Sequence, residues 1–167
     1  MTIRNFNNLS IQQQKEELFK CCGSTLWVEK LLRKIPFASV AELKNESDII
    51  WLGCDENDWL EAFTYHPKIG DLKSLEQKFA STEHWASSEQ EGVNETTTIV
   101  LLELKELNDE YEKKFGYIFI VCATGKSAEE MLQLLKERLQ NNPDKEIKIA
   151  MQEQNKITHI RIDKLFA

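Results

Sequence analysis

No stretch of the 167 residues approaches the ~20 consecutive apolar positions that a bilayer-spanning helix needs. The opening Met1-Thr2-Ile3-Arg4-Asn5-Phe6-Asn7-Asn8 lacks the apolar core of an export signal. Cysteine is sparse: Cys21, Cys22, Cys54 and Cys122 include no Cys-x-x-Cys pair, which argues against a disulfide framework and for a reducing cytoplasm. The ending Lys164-Leu165-Phe166-Ala167 is not a Ser-Lys-Leu peroxisomal address, so a cytoplasmic location is expected. Basic excess is missing too. With 21 Lys and Arg against 28 Asp and Glu the net charge is -7 and the pI about 5.1, which disfavours nucleic acid or an anionic membrane as partner. Only three histidines occur, His66, His84 and His159, and none has the spacing of a helical metal pair, so no metal is expected. Repeats, linkers and low-complexity tracts are absent. One compact domain over residues 1–167 follows, long enough to bury roughly 70% of its unfolded surface.

What the chain does contain is helical punctuation. Ser10 with Gln13 reads as a capping box opening a helix that carries Leu18 and Phe19 and stops near Gly23. Ser24 caps the next, through Trp27, Val28, Leu31 and Leu32 towards Pro36. Short helices are predicted over Val40 to Lys44, Asp48 to Leu52, Asn57 to Tyr65 and Ser81 to Gln90, with Leu72 to Phe79 undecided. A long helix is predicted from Asn94 to Phe115 on a stripe of Ile99, Leu102, Glu106 or Leu107, and Tyr111, ended by Gly116. Ser127-x-x-Glu130 opens a helix to about Gln140, and Pro143 introduces a last one reaching Phe166. Tyr117 to Ala123 has strand-like content but no second strand to pair with, so it is assigned as an extended connection in an all-α domain, its backbone groups needing other partners.

His66-Pro67-Lys68-Ile69-Gly70-Asp71 carries the most chemistry. Proline excludes helical backbone from the preceding residue, so a helix must end at Tyr65 and present His66 at its C-terminus. There carbonyl dipoles favour the imidazolium, and the charge can change near neutral pH. Taken alone, such a histidine is most often a solvated helix end. Glu89 alone is an ordinary surface carboxylate, although Trp85 four residues earlier places it on an inward face. Gln90 adds an amide that donates and accepts. Arg161 falls on the stripe of the last helix with Ile147, Met151, Gln154, Ile157 or Thr158, and Leu165; partly buried there, it either holds Glu89 or another internal acid, or awaits an anionic ligand. Cys21-Cys22-Gly23-Ser24 and Trp27 read as helix stop, cap and core, with no adjacent histidine to activate a thiol. Lys68 and Asp71 read as ordering the loop after the histidine.

These blocks, followed by Phe115-Gly116-Tyr117-Ile118-Phe119-Ile120-Val121-Cys122-Ala123, resemble the OHCU (2-oxo-4-hydroxy-4-carboxy-5-ureidoimidazoline) decarboxylases of urate degradation. The resemblance runs on through Arg33, Pro36-Phe37, Asn108-x-x-Tyr111 and Arg138-Leu139. It implies an all-α fold, a homodimer and conversion of OHCU to (S)-allantoin and CO2 without a cofactor. His66, Glu89 and Arg161 would be catalytic. Pro67, Ala86, Ser87, Ser88, Glu89, Gln90, Phe119, Ile120, Val121, Cys122 and Ala123 would line the substrate. The sequence departs from the common pattern at Ala86, where many relatives carry serine, and at Glu91, which replaces a small residue. Two other readings compete: a metal-free hydrolase of a related cyclic ureide, and a helical interaction module using Phe6, Trp51 and Trp59.

Overall fold

Side-chain caps open most of the helices. In the computed structural model, which describes residues 1–66 and 90–167 and side chains for 1–66 and 99–167, eight helices are found among the described residues and no strand. They are α1 (Ile3–Asn7), α2 (Ile11–Cys21), α3 (Thr25–Leu32), α4 (Val40–Leu52), α5 (Glu56–Thr64), α6 (Gln90–Phe115), α7 (Ala128–Leu139) and α8 (Pro143–Phe166). Ser10, Asp55 and Ser127 form reciprocal capping boxes with Gln13, Asp58 and Glu130, while Ser24 and Ser39 accept from Trp27 N and Glu42 N. Each satisfies a backbone N–H that the helix cannot, for about 1 kcal/mol.

The chain divides into two compact units, Met1–His66 with Ile147–Ala167, and Pro67–Glu146. In the first, Leu18, Trp27, Leu31, Leu43, Trp51 and Ile162 form the centre of the core. The two indoles also find acceptors: Trp27 Nε1 donates to Ser47 O at 3.2 Å and Trp51 Nε1 to Met151 O at 2.9 Å, tying α3 to α4 and α4 to α8. Phe6 and Trp51 are 0% and 1% exposed and Trp59 is only partly exposed, so the apolar surface expected of an interaction module is instead core. The two short helices expected between Val40 and Leu52 are one, because no glycine or proline interrupts it and buried Leu43, Ser47, Ile50 and Trp51 keep one helical face inward.

The second unit packs α6 on α7 through Leu101, Leu104, Tyr111, Met131 and Leu135. Its inward stripe on α6 is Leu101, Leu104, Asn108 and Tyr111, not the expected Ile99 and Leu102, which are 64% and 42% exposed. The stripe is shifted because polar Asn108 is buried, its amide donating to Leu104 O at 2.8 Å. Gly116 ends α6 at φ 80°, left-handed backbone that glycine adopts without a side-chain clash, with its N–H returned to Glu112 O at 2.8 Å. Tyr117 to Ala123 follows as a connection that is neither helix nor strand.

Candidate active site

His66 stands where the His-Pro rule places it. Tyr65 caps α5, and His66 N donates to Phe63 O at 3.2 Å as the helix closes. What holds this helix end is the turn after α2. A Cβ on Gly23 would come within 2.5 Å of the Tyr65 ring, so only glycine lets the ring settle there. Phe19 of α2 meets the same ring edge-on at 4.8 Å. The Cys-Cys-Gly-Ser block is therefore structural, as expected, and it supports the residue beside the histidine.

The partly buried His66 ring is held on both sides by α8. Its Nε2 meets the amide oxygen of Gln154, and its Nδ1 lies 3.5 Å from Arg161 Nη2. Arg161 Nη1 donates at 3.4 Å to Lys20 O and Cys21 O, the last carbonyls of α2, where a cation is favoured by the helix dipole. These contacts are long and therefore weak. Among the described residues no carboxylate lies within ion-pair distance of Arg161. Arg161 also walls a cavity of about 300 Å³ with Glu17, Lys20, Cys21, Lys164 and Leu165, three of whose six lining side chains are cationic. In a chain of net charge -7 this is locally basic ground, suited to an anion.

Burial pushes the Cys21 thiol up to about 11, with Arg161 opposing, and Cys22 up to about 12. Both therefore stay protonated at neutral pH and neither is a nucleophile.

Phe119 to Ala123 belong to the second unit. Phe119, Ile120, Val121 and Cys122 are buried and Ala123 partly so. Two of their carbonyls have cationic partners: Arg138 Nη1 donates to Ile120 O, and Lys126 Nζ to Cys122 O, each at 2.7 Å. The Arg138 guanidinium is itself locked by Glu146 at 2.6 Å and stacks 4.6 Å from the Phe119 ring centre. Pro67, Ala86, Ser87, Ser88 and Glu89, with Lys68, Asp71, His84, Trp85, the undecided stretch Leu72 to Phe79 and all but the last residue of the helix expected over Ser81 to Gln90, lie outside the described residues. Gln90 is the first residue of α6, four positions before the expected start; its side chain and that of Glu91 are likewise outside. Gln154 and Thr158 were legible only as polar members of the last stripe. Their being polar, i, i+4, on an apolar face and close before Arg161 was the available signal.

A helix-terminal histidine set against an arginine is an arrangement that can exchange a proton with a small anionic molecule. The chain belongs to the OHCU decarboxylase family, whose model matches residues 7–163. It is 37% identical over 159 residues to the uric acid degradation bifunctional protein TTL of Arabidopsis thaliana, covering 95% of this chain and 49% of that protein. It thus spans about half the length of that relative. The 2-oxo-4-hydroxy-4-carboxy-5-ureidoimidazoline decarboxylase of Xenopus laevis is 32% identical over 180 residues, 99% of this chain and 95% of that one. The crystal structure of an OHCU decarboxylase in the presence of (S)-allantoin superposes with a TM-score of 0.72 at 38% identity, over 90% of this chain and 96% of that one. The all-α expectation is thereby borne out.

Proposed function

We propose that this chain decarboxylates OHCU to (S)-allantoin and CO2 by acid–base catalysis, without a cofactor, as one step of urate degradation. The observation that carries the reading is the convergence of His66 Nδ1 and Arg161 Nη2 at 3.5 Å in a member of this family. Loss of the C4 carboxylate sends the C–C bond pair into a new C4=C5 bond, and the former ring C=N pair goes to nitrogen, which takes a proton. The resulting enol gives up its hydroxyl proton as C4 becomes a carbonyl, and C5 gains a proton on one face. The substrate supplies its own electron sink, so the protein has to orient and to move protons. Arg161 neutralises anionic charge, His66 acts as base or shuttle at the hydroxyl and carboxylate end, and Glu89 and Gln90 grip the ureido and ring nitrogens. Pro67, Ala86 to Ser88 and Phe119 to Ala123 complete the substrate contacts, on the strength of the resemblance. A cytoplasmic homodimer is part of the same reading; exposed Ile99 and Leu102 on α6 support a second copy, and light scattering of the purified chain tests it.

The test is optical. OHCU is generated from urate with a urate oxidase and a hydroxyisourate hydrolase, and its circular dichroism is followed with this protein and with His66→Ala. The expected result is rapid decay to a lasting (S)-allantoin signal, slowed about 10²- to 10⁴-fold in the variant. Decay at the spontaneous rate with the wild-type chain overturns the assignment.

A further inference from the structure

Gln154 and Thr158 are polar side chains on the buried face of α8, 0% and 1% exposed. The Thr158 hydroxyl has one proton, and donates it to Gln154 O at 3.0 Å, one turn back. Thr158 Oγ1 therefore accepts from Gln154 Nε2, 3.2 Å away. With its NH2 group turned to Thr158, the amide presents its oxygen to His66 Nε2. A carbonyl oxygen only accepts, so the imidazole nitrogen facing it has to be the one that carries hydrogen. In the neutral ring the lone pair is then on Nδ1, the atom towards which Arg161 Nη2 points.

We infer that Gln154, oriented by Thr158, is a positioning residue that keeps the proton of neutral His66 on Nε2 and so makes Nδ1 the atom that exchanges a proton with substrate. The first half stands on the hydrogen-bond geometry alone; the second rests on the decarboxylase reading above. Gln154 touches neither reacting atom. It acts by selecting a tautomer, as the partner of a catalytic histidine does when it binds the ring nitrogen remote from the chemistry.

Long-range ¹H–¹⁵N spectra of the full chain, recorded where the imidazoles are neutral, read the tautomer directly, with the His66 signals assigned by their absence in His66→Asn. A pyrrole-type Nε2 and a pyridine-type Nδ1 are expected. In Gln154→Leu the two nitrogens should move towards averaged shifts, and kcat should fall about 10- to 100-fold with KM changed less than about threefold. Thr158→Val should reproduce part of both effects and Thr158→Ser, which keeps the hydroxyl, neither. A wild-type proton on Nδ1 overturns the inference even if Gln154→Leu does not fold. So does an unchanged tautomer in Gln154→Leu. A wild-type chain with the Nε2–H tautomer, lost in Gln154→Leu, but with no turnover of OHCU would instead overturn the functional reading and leave the hydrogen-bond assignment standing.

Discussion

Arg138 and Arg161 are held in opposite ways, one locked in a buried network and the other loosely tied beside His66. Arg138, with a side chain 7% exposed, donates through Nε and Nη2 to Glu146 at 2.6 Å, through Nη1 to Ile120 O at 2.7 Å, and reaches Tyr111 Oη at 3.3 Å. Glu146 is 0% exposed and also accepts from Tyr111 at 2.5 Å and Asn141 at 2.7 Å. This is a buried network whose short bonds hold the guanidinium in place. Arg161 is only partly buried and makes contacts of 3.4 to 3.5 Å to two carbonyls and a histidine. A guanidinium so loosely held can strengthen its bonds when an anion arrives, which the first arginine cannot.

Removing each arginine tests the contrast. Arg138→Met should leave Glu146 as a buried, uncompensated charge and lower stability by about 3–5 kcal/mol, read by urea unfolding. Pairing it with Glu146→Leu should return most of that loss, because an apolar pair of similar volume replaces the ions. Arg161→Leu should invert the pattern: kcat/KM down about 100-fold, or about 2.7 kcal/mol of barrier, with stability changed by less than about 1 kcal/mol. Equal stability losses in the two single variants would erase the distinction.

Gly23→Ala sharpens the comparison on the Arg161 side. Its Cβ would sit 2.5 Å from Tyr65, so about 1–3 kcal/mol of stability should be lost and His66 displaced; adding Tyr65→Ala should relieve the stability loss without restoring activity. The smallest effect at neutral pH concerns the thiols behind Arg161. Burial raises Cys21 to about 11 and Cys22 to about 12 from an ordinary 9.0. The unfolded chain therefore loses these protons first. Stability is unaffected well below pH 9 and falls above it, to about pH 11 for Cys21 and about pH 12 for Cys22, by up to about 1.4 kcal/mol per pH unit for each thiol. Cys22→Ala should flatten that alkaline slope, and at pH 8 both thiols should alkylate at least about 100-fold more slowly than a free cysteine.

Helix starts were legible wherever a serine or proline announced them: Ser10, Ser24, Ser127 and Pro143 all stand where α2, α3, α7 and α8 begin. Asp55, which caps α5, went unread, and α1 was missed because five residues hold too little periodicity to recognise. The α6 stripe was misplaced because Asn108 is polar and buried, and Glu146 would pass for a favourable first-turn acid although it is 0% exposed. Pattern reading assumes that polar faces outwards, and it fails where a polar group finds its partner inside.

The sequence by itself determined the family, the helical class, the caps at Ser10, Ser24 and Ser127 and the placing of His66 at a helix end, since capping, proline geometry and periodicity act over four residues or fewer. Tertiary structure alone decided which arginine is committed and which is poised, and that Gln154 and Arg161, 88 and 95 residues from His66, face its two ring nitrogens. Such pairings depend on how helices distant in sequence pack and on which buried polar groups must be satisfied, and no local rule contains that information.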